Sequence, residues 1–209
     1  MSKILYVVIA FVALVTGALL FTQLSQQPQP ENALYYKEAR DIKPFIMTDH
    51  TGHKFSNEQF KGKWSWVFFG YTSCPDVCPT TLQELNFIYD DLKKVAKNTQ
   101  VVLVSVDPKR DTTERLAGYI KYFNKEFIAV NGGHEVLFPF ARNLGLMYAM
   151  NDGERVENNM YTVDHSASIV LINPTGKVAA IFQPHQVLGK LPIVEGDKLL
   201  RDFAKIVNL

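Results

Sequence analysis

The chain has 209 residues, 47% of them apolar, and its 22 basic and 21 acidic residues leave a net charge of +1. That is enough apolar content for one sizeable core, and the lack of any basic block or acidic tail argues against nucleic acid as a partner. Only two cysteines occur, four positions apart, and a disulfide closing so short a loop would do little for fold stability.

Residues 4–21 carry no charge, and only Thr16 and Gly17 interrupt their run of large apolar and alanine side chains. As a helix these eighteen residues would span about 27 Å, close to the thickness of a bilayer core. Lys3 places the positive charge on the cytoplasmic side, so the remainder is expected outside, on a single-pass inner-membrane anchor facing the periplasm. A cleaved signal peptide is the competing reading, weakened by the length of the run and by an exit without a small-x-small site. No cysteine follows the run to take a lipid. Residues 23–31 hold four Gln and two Pro, a composition that buries nothing and reads as a tether. The expected organisation is an anchor over 1–24, a linker over 25–34 and a folded domain over 35–209.

Within the domain the hydrophobic period switches repeatedly. Residues 66–71 form a short apolar run expected as a strand buried on both faces. Leu82, Leu85, Ile88, Leu92 and Val95 then mark a helix face, with Pro79 in the first turn and Thr81 with Glu84 at capping-box spacing, so the helix should begin at or just after Cys78. A second buried strand over 101–106 ends at Asp107-Pro108, and a helix over about 112–123 follows on Leu116, Tyr119, Ile120 and Phe123. Residues 127–130 read as a strand, and Leu137, Phe140, Ala141 and Leu144 as a helix stopped by Gly145. Residues 168–172 and 177–182 flank Asn173-Pro174-Thr175-Gly176 as a hairpin, and Leu199, Leu200, Phe203, Ile206 and Val207 mark a terminal helix. This order predicts an α/β, thioredoxin-like three-layer fold with an insertion before the hairpin. Residues 146–162 receive no assignment.

Cys74 and Cys78 fall at the junction of the first strand and its helix, where an α/β sheet gathers chemistry. A helix N-terminus favours thiolate over thiol, and Cys78 is expected to feel this most. Among five histidines His165 stands out, because it immediately precedes the strand expected beside the cysteine-bearing one, and no proline occurs between Pro139 and Pro174. His50, His53, His134 and His185 lie in turn-like contexts and read as loop histidines. Two thiolates and an imidazole form a soft three-ligand set that suits copper better than structural zinc or an iron–sulfur cluster. Asp164 is near enough in sequence to orient His165. Met147, Met150 and Met160 are expected to fill core.

Three segments carry a family resemblance: Phe69-Gly70-Tyr71-Thr72-Ser73-Cys74-Pro75-Asp76-Val77-Cys78-Pro79, Ser105-Val106-Asp107-Pro108-Lys109-Arg110-Asp111-Thr112 and Val163-Asp164-His165-Ser166. In order and spacing they resemble the Sco/SenC family over about residues 40–209. The resemblance implies a membrane-anchored thioredoxin-like protein whose Cys74, Cys78 and His165 bind copper, Cu(I) or Cu(II). It also implies that copper is delivered to, or its site prepared in, the copper-site subunit of cytochrome c oxidase. Asp107-Pro108 is read as loop-shaping, with a partner-facing acidic group. The same cysteines suit a thiol–disulfide oxidoreductase that reduces the oxidase subunit, so Cys74 and Cys78 are also the expected redox pair. A thiol peroxidase and a purely structural disulfide protein remain as further readings.

Overall fold

In a computed structural model of the full chain, the described residues are 2–24, 28–151, 161–184, 189 and 191–209. Helix α1 (Ser2–Leu24) is the apolar N-terminal segment; its residues 3–21 have a mean hydropathy of 2.8 and none is buried against the domain. The other elements are β1 (Ala33–Arg40), β2 (Ile46–Asp49), β3 (Lys54–Ser56), β4 (Trp64–Gly70), α2 (Val77–Val95), β5 (Thr99–Ser105), α3 (Thr113–Phe123), β6 (Ile128–Asn131), α4 (His134–Leu144), β7 (Tyr148–Asn151), β8 (Thr162–His165), β9 (Ile169–Ile172), β10 (Val178–Phe182) and α5 (Gly196–Ile206). A short 3-10 turn, Asn57–Phe60, joins β3 to β4.

Eight strands form one mixed sheet in the order β1-β10-β9-β4-β5-β6-β2-β3, and β7 pairs with β8 in a separate ribbon. The β4-α2-β5 and β5-α3-β6 units are parallel crossovers, while β9 and β10 return antiparallel, with Phe68 of β4 opposite Ile169 of β9. The expected thioredoxin-like layout is therefore present. β4 and β5 are buried along nearly their whole length, as strands covered on both faces must be. Side chains alternate across the sheet, so Trp66 packs on Phe203 of α5 while Phe69 packs on Phe140 of α4, and the two helices cover opposite faces. Burying each such aromatic contributes about 1.5–3 kcal/mol.

Helix α2 shows why this sequence folds locally as it does. Leu82, Leu85, Ile88 and Leu92 bury one stripe, and Lys93 and Lys94 meet the negative end of the helix dipole. The helix starts at Val77, one residue ahead of Cys78. Thr81 and Glu84 are not its capping box: Thr81 is buried inside the helix, and Glu84 accepts the Gly196 N–H at 2.8 Å. That contact ties α2 to the start of α5 instead.

β1, β2, β3, β7 and β8 have no counterpart in the sequence reading. β2 and β3 are four and three residues long, too short for a period to register. β1 is an edge strand of mixed exposure, and β8 alternates over only four residues. The hairpin turn matches its residues, with Asn173 Oδ1 accepting from Thr175 and Lys177 main-chain N–H groups and Gly176 at a φ of 80°.

Candidate metal centre

Both cysteines are free thiols, and they differ in setting. The loop from β4 turns at Tyr71, whose carbonyl accepts the Cys74 N–H at 3.2 Å, and leaves Cys74 half-buried at the mouth. Cys78, the second residue of α2, points down onto the sheet and has no exposed surface. Gly70 makes that descent possible, because a Cβ there would stand 3.1 Å from Cys78 Sγ and 3.0 Å from the Phe68 ring. The glycine at the end of an apolar strand was the available signal for this close approach.

The helix start favours the other sulfur. The Cys78 main-chain N–H points at Cys74 Sγ, 3.4 Å away, so the unpaired N–H groups of the first turn serve Cys74. A hydrogen bond from Cys78, opposed by partial burial and reinforced by His165 and by the main-chain N–H groups of Cys78 and Asp76, brings the Cys74 thiol down to about 4. Burial, followed by the neighbouring Cys74, pushes Cys78 up. The expectation that Cys78 is the more acidic thiol is thus corrected, for its sulfur is turned away from the helix terminus into apolar surroundings.

His165 ends β8, and Tyr148 of β7 lies opposite it. Its Nε2 lies 3.2 Å from Cys78 Sγ, and its Nδ1 lies 3.1 Å from the Ser166 carbonyl. A carbonyl only accepts, so Nδ1 donates to it, and Nε2 is the ring nitrogen turned toward the sulfurs and the one a metal would take. Donor atoms of Cys74, Cys78 and His165 all lie within 4.8 Å of one another. Among the described residues this is the one cluster that could hold a metal ion, and its soft donor set fits copper. The rings of Phe68 and Tyr71 meet the imidazole edge-on at 5.9 and 6.0 Å.

Asp164 does not orient the imidazole. It lies exposed on the opposite face of β8, and the Ser166 main chain does that work. Met147 is 77% exposed and not core, Met150 packs partly against the core, and Met160 and His185 lie outside the described residues. His53 is exposed. His50 is tied in by Nδ1, which accepts the Ala129 N–H at 3.2 Å, and His134 opens α4 with Nδ1 2.8 Å from the Tyr148 hydroxyl.

The β5–α3 loop holds the two halves of the cluster together. Asp107 is fully buried and paired with Arg110, so it is not a partner-facing acid. It also accepts the Tyr161 hydroxyl at 2.6 Å, while Arg110 donates to the Tyr161 carbonyl at 3.0 Å and lies over the Tyr161 and Tyr71 rings. The Tyr71 hydroxyl in turn accepts the Val163 N–H at 3.3 Å, two residues before His165. Asp111, equally buried, accepts the Ser105 hydroxyl at 2.6 Å and both the hydroxyl and N–H of Thr72, at 2.5 and 3.1 Å, at the head of the cysteine loop. Tyr161 and Asp111 escaped sequence reading because their partners lie 54 and 39 positions away.

Comparison with known proteins follows the same residues. Residues 35–191, three-quarters of the chain and inclusive of all three ligand candidates, match the family described as SCO1/SenC. The chain belongs to that family. It is 32% identical over 181 residues to an SCO2-like protein of Rickettsia typhi, covering 84% of this chain and 89% of that one. It is 31% identical over 150 residues to the mitochondrial SCO1 homolog of Homo sapiens, covering 71% of this chain and 49% of the human protein. Among solved structures, Arabidopsis thaliana ScoI with copper bound gives a TM-score of 0.68 at 28% identity, covering 80% of this chain and 99% of that one. Bradyrhizobium japonicum ScoI with copper bound gives 0.62 at 30% identity, covering 76% and 97%.

Proposed function

We propose that this SCO1/SenC protein binds copper through Cys74, Cys78 and His165 and hands it to, or prepares the copper site of, a cytochrome c oxidase subunit on the extracytoplasmic side of the membrane. The observation that carries the reading is the convergence of three soft donors within 4.8 Å, with the imidazole Nε2 turned toward the sulfurs. Copper-bound structures of ScoI from two organisms support the choice of metal. The apolar helix α1 supports an anchor, as the length and hydropathy of residues 3–21 suit a bilayer. Cys74 stands at the mouth, so an acceptor thiolate approaches from its side and copper passes by ligand exchange, with Cys78 and His165 behind it. Uptake requires the Cys78 proton to leave, whereas Cys74 is already thiolate at neutral pH.

The thiol asymmetry favours one second reading, reduction of a partner disulfide. Cys74 thiolate attacks one partner sulfur and expels the other as thiolate; Cys78 then loses its proton and attacks Cys74, releasing the first partner sulfur. The two electrons that Cys74 and Cys78 lose on forming their disulfide reduce the partner's disulfide to two thiols. Copper titration of the reduced full chain in detergent, followed by sulfur-to-copper charge-transfer absorption, tests the main reading. The native chain should bind tightly, and Cys74→Ala, Cys78→Ala and His165→Ala should each lose the native band; a native chain indifferent to copper refutes it. If His165→Ala loses copper but still supports oxidase assembly, the reductase reading takes its place.

A further inference from the structure

The segment leading from α1 into the domain is clamped rather than free. Asp202 of α5 has no exposed surface, yet its carboxylate accepts three successive main-chain N–H groups, from Glu31 at 3.0 Å, Asn32 at 2.5 Å and Ala33 at 2.9 Å. Lys205, nearly one turn on, pairs with Glu31 at 2.5 Å and donates to the Gln29 carbonyl at 3.2 Å. Convergent N–H groups around a buried anion are strong, charge-assisted contacts, and the enclosed carboxylate would be left poorly satisfied without them. So residues from Gln29 onward belong to the domain, although composition marks them as linker.

The place of attachment has a consequence for the metal centre. Ala33 pairs with Phe182, Phe182 with Ile169 and Ile169 with Phe68, two residues short of Gly70. Arg40, at the far end of β1, pairs with Val178, whose partner Ile172 stands opposite Ser65. The chain therefore enters the sheet at the end that carries the cysteines, three strand spacings away, or about 14 Å. From Leu24 to Gln29 there are only five peptide steps, which cover at most about 18 Å when fully extended.

We infer that Asp202 is an orientation lock, holding the cysteine–histidine end of the sheet toward the bilayer surface. The partner this fits is a protein whose metal-accepting thiols lie near the membrane, not one reached by a long swinging tether. The orientation rests on the anchor reading above and not on copper, whereas the chemistry of the partner rests on the copper reading.

The test uses full-length Cys78→Ala, which leaves Cys74 as the single thiol for a nitroxide, in phosphatidylcholine nanodiscs containing a trace of lipid with a gadolinium-chelate headgroup. Pulsed EPR should give a short, narrow nitroxide-to-headgroup distance. An eight-residue Gly-Ser insertion after Gln27 should shift it to longer distance, and Asp202→Ala should lose the narrow peak. Amide hydrogen exchange at residues 31–33 should be slow in the native chain and the insertion variant and fast in Asp202→Ala, and an unfolded variant would lose protection throughout the sheet as well. The insertion variant keeps the inference testable in that event. A native distance as long and broad as that of the insertion variant overturns it. Failure of the full chain to float with lipid overturns it too, but through the anchor, and flotation tells the two failures apart.

Discussion

The two halves of the candidate metal centre are built in different ways. Cys74 and Cys78 hang from the junction of β4, a strand in the middle of the sheet, and α2, whereas His165 sits on the β7–β8 ribbon, which among the described residues shares no ladder with the main sheet. The ribbon packs into the same core through Tyr148, Tyr161 and Val163, and Tyr71, Arg110 and Tyr161 add polar ties between it and the cysteine side. The position of the third candidate donor therefore depends on residues, Tyr161 and Arg110, that lie outside β4 and α2. Substitutions on each side test the contrast.

The largest effect is expected from Arg110→Met, which leaves Asp107 as a buried charge without its cation and should cost about 3–5 kcal/mol in denaturant unfolding. If Arg110 serves the ribbon, copper affinity should fall as well in those molecules that remain folded. Tyr161→Phe is gentler. It removes one hydroxyl from Asp107 and should lower copper affinity about 10–100-fold while costing about 1–3 kcal/mol of stability. An unchanged affinity would mean that the ribbon is placed by something other than this network. On the cysteine side, Gly70→Ala should shift the charge-transfer band, because its new methyl group meets Cys78 Sγ.

The thiols separate the halves by pH. Thiolate absorbance of the reduced protein should rise with a midpoint near 4 for Cys74, with Cys78 contributing nothing until well above the ordinary thiol range. Because the folded value of Cys74 lies below its unfolded one, its contribution to stability is complete above the unfolded value of 9.0 and is lost as pH falls through about 4. Cys78 has the opposite sign: being raised, it destabilises the fold only where an unfolded thiol would ionise. Asp164→Ala should have the smallest effect, within about 0.5 kcal/mol and without change in the copper spectrum, since the side chain faces away from the centre.

The same division explains what the sequence disclosed. The three ligand candidates were legible because their residue types are chemically distinctive and the cysteines sit at a strand–helix switch that periodicity reveals. The sheet was legible through β4, β5 and β9, each of which holds a continuous stretch of four apolar residues. Asp107 was misread and Asp111 went unread, because both look like exposed loop residues until folding supplies Arg110, Tyr161, Thr72 and Ser105. Which thiol is the acid was also hidden, since it depends on the direction of the first main-chain N–H groups of α2 and not on proximity in sequence. The tether was read from composition alone, and composition is silent about a carboxylate 171 positions later.

The acceptor that sets the His165 ring is a carbonyl of the main chain, an atom common to all twenty amino acids. Replacement of the Ser166 side chain therefore leaves that acceptor in place and removes only the hydroxyl's contact with Ser168, 3.0 Å away. Only a change that rotates the peptide plane, such as a proline at 167, has the means to turn the imidazole around.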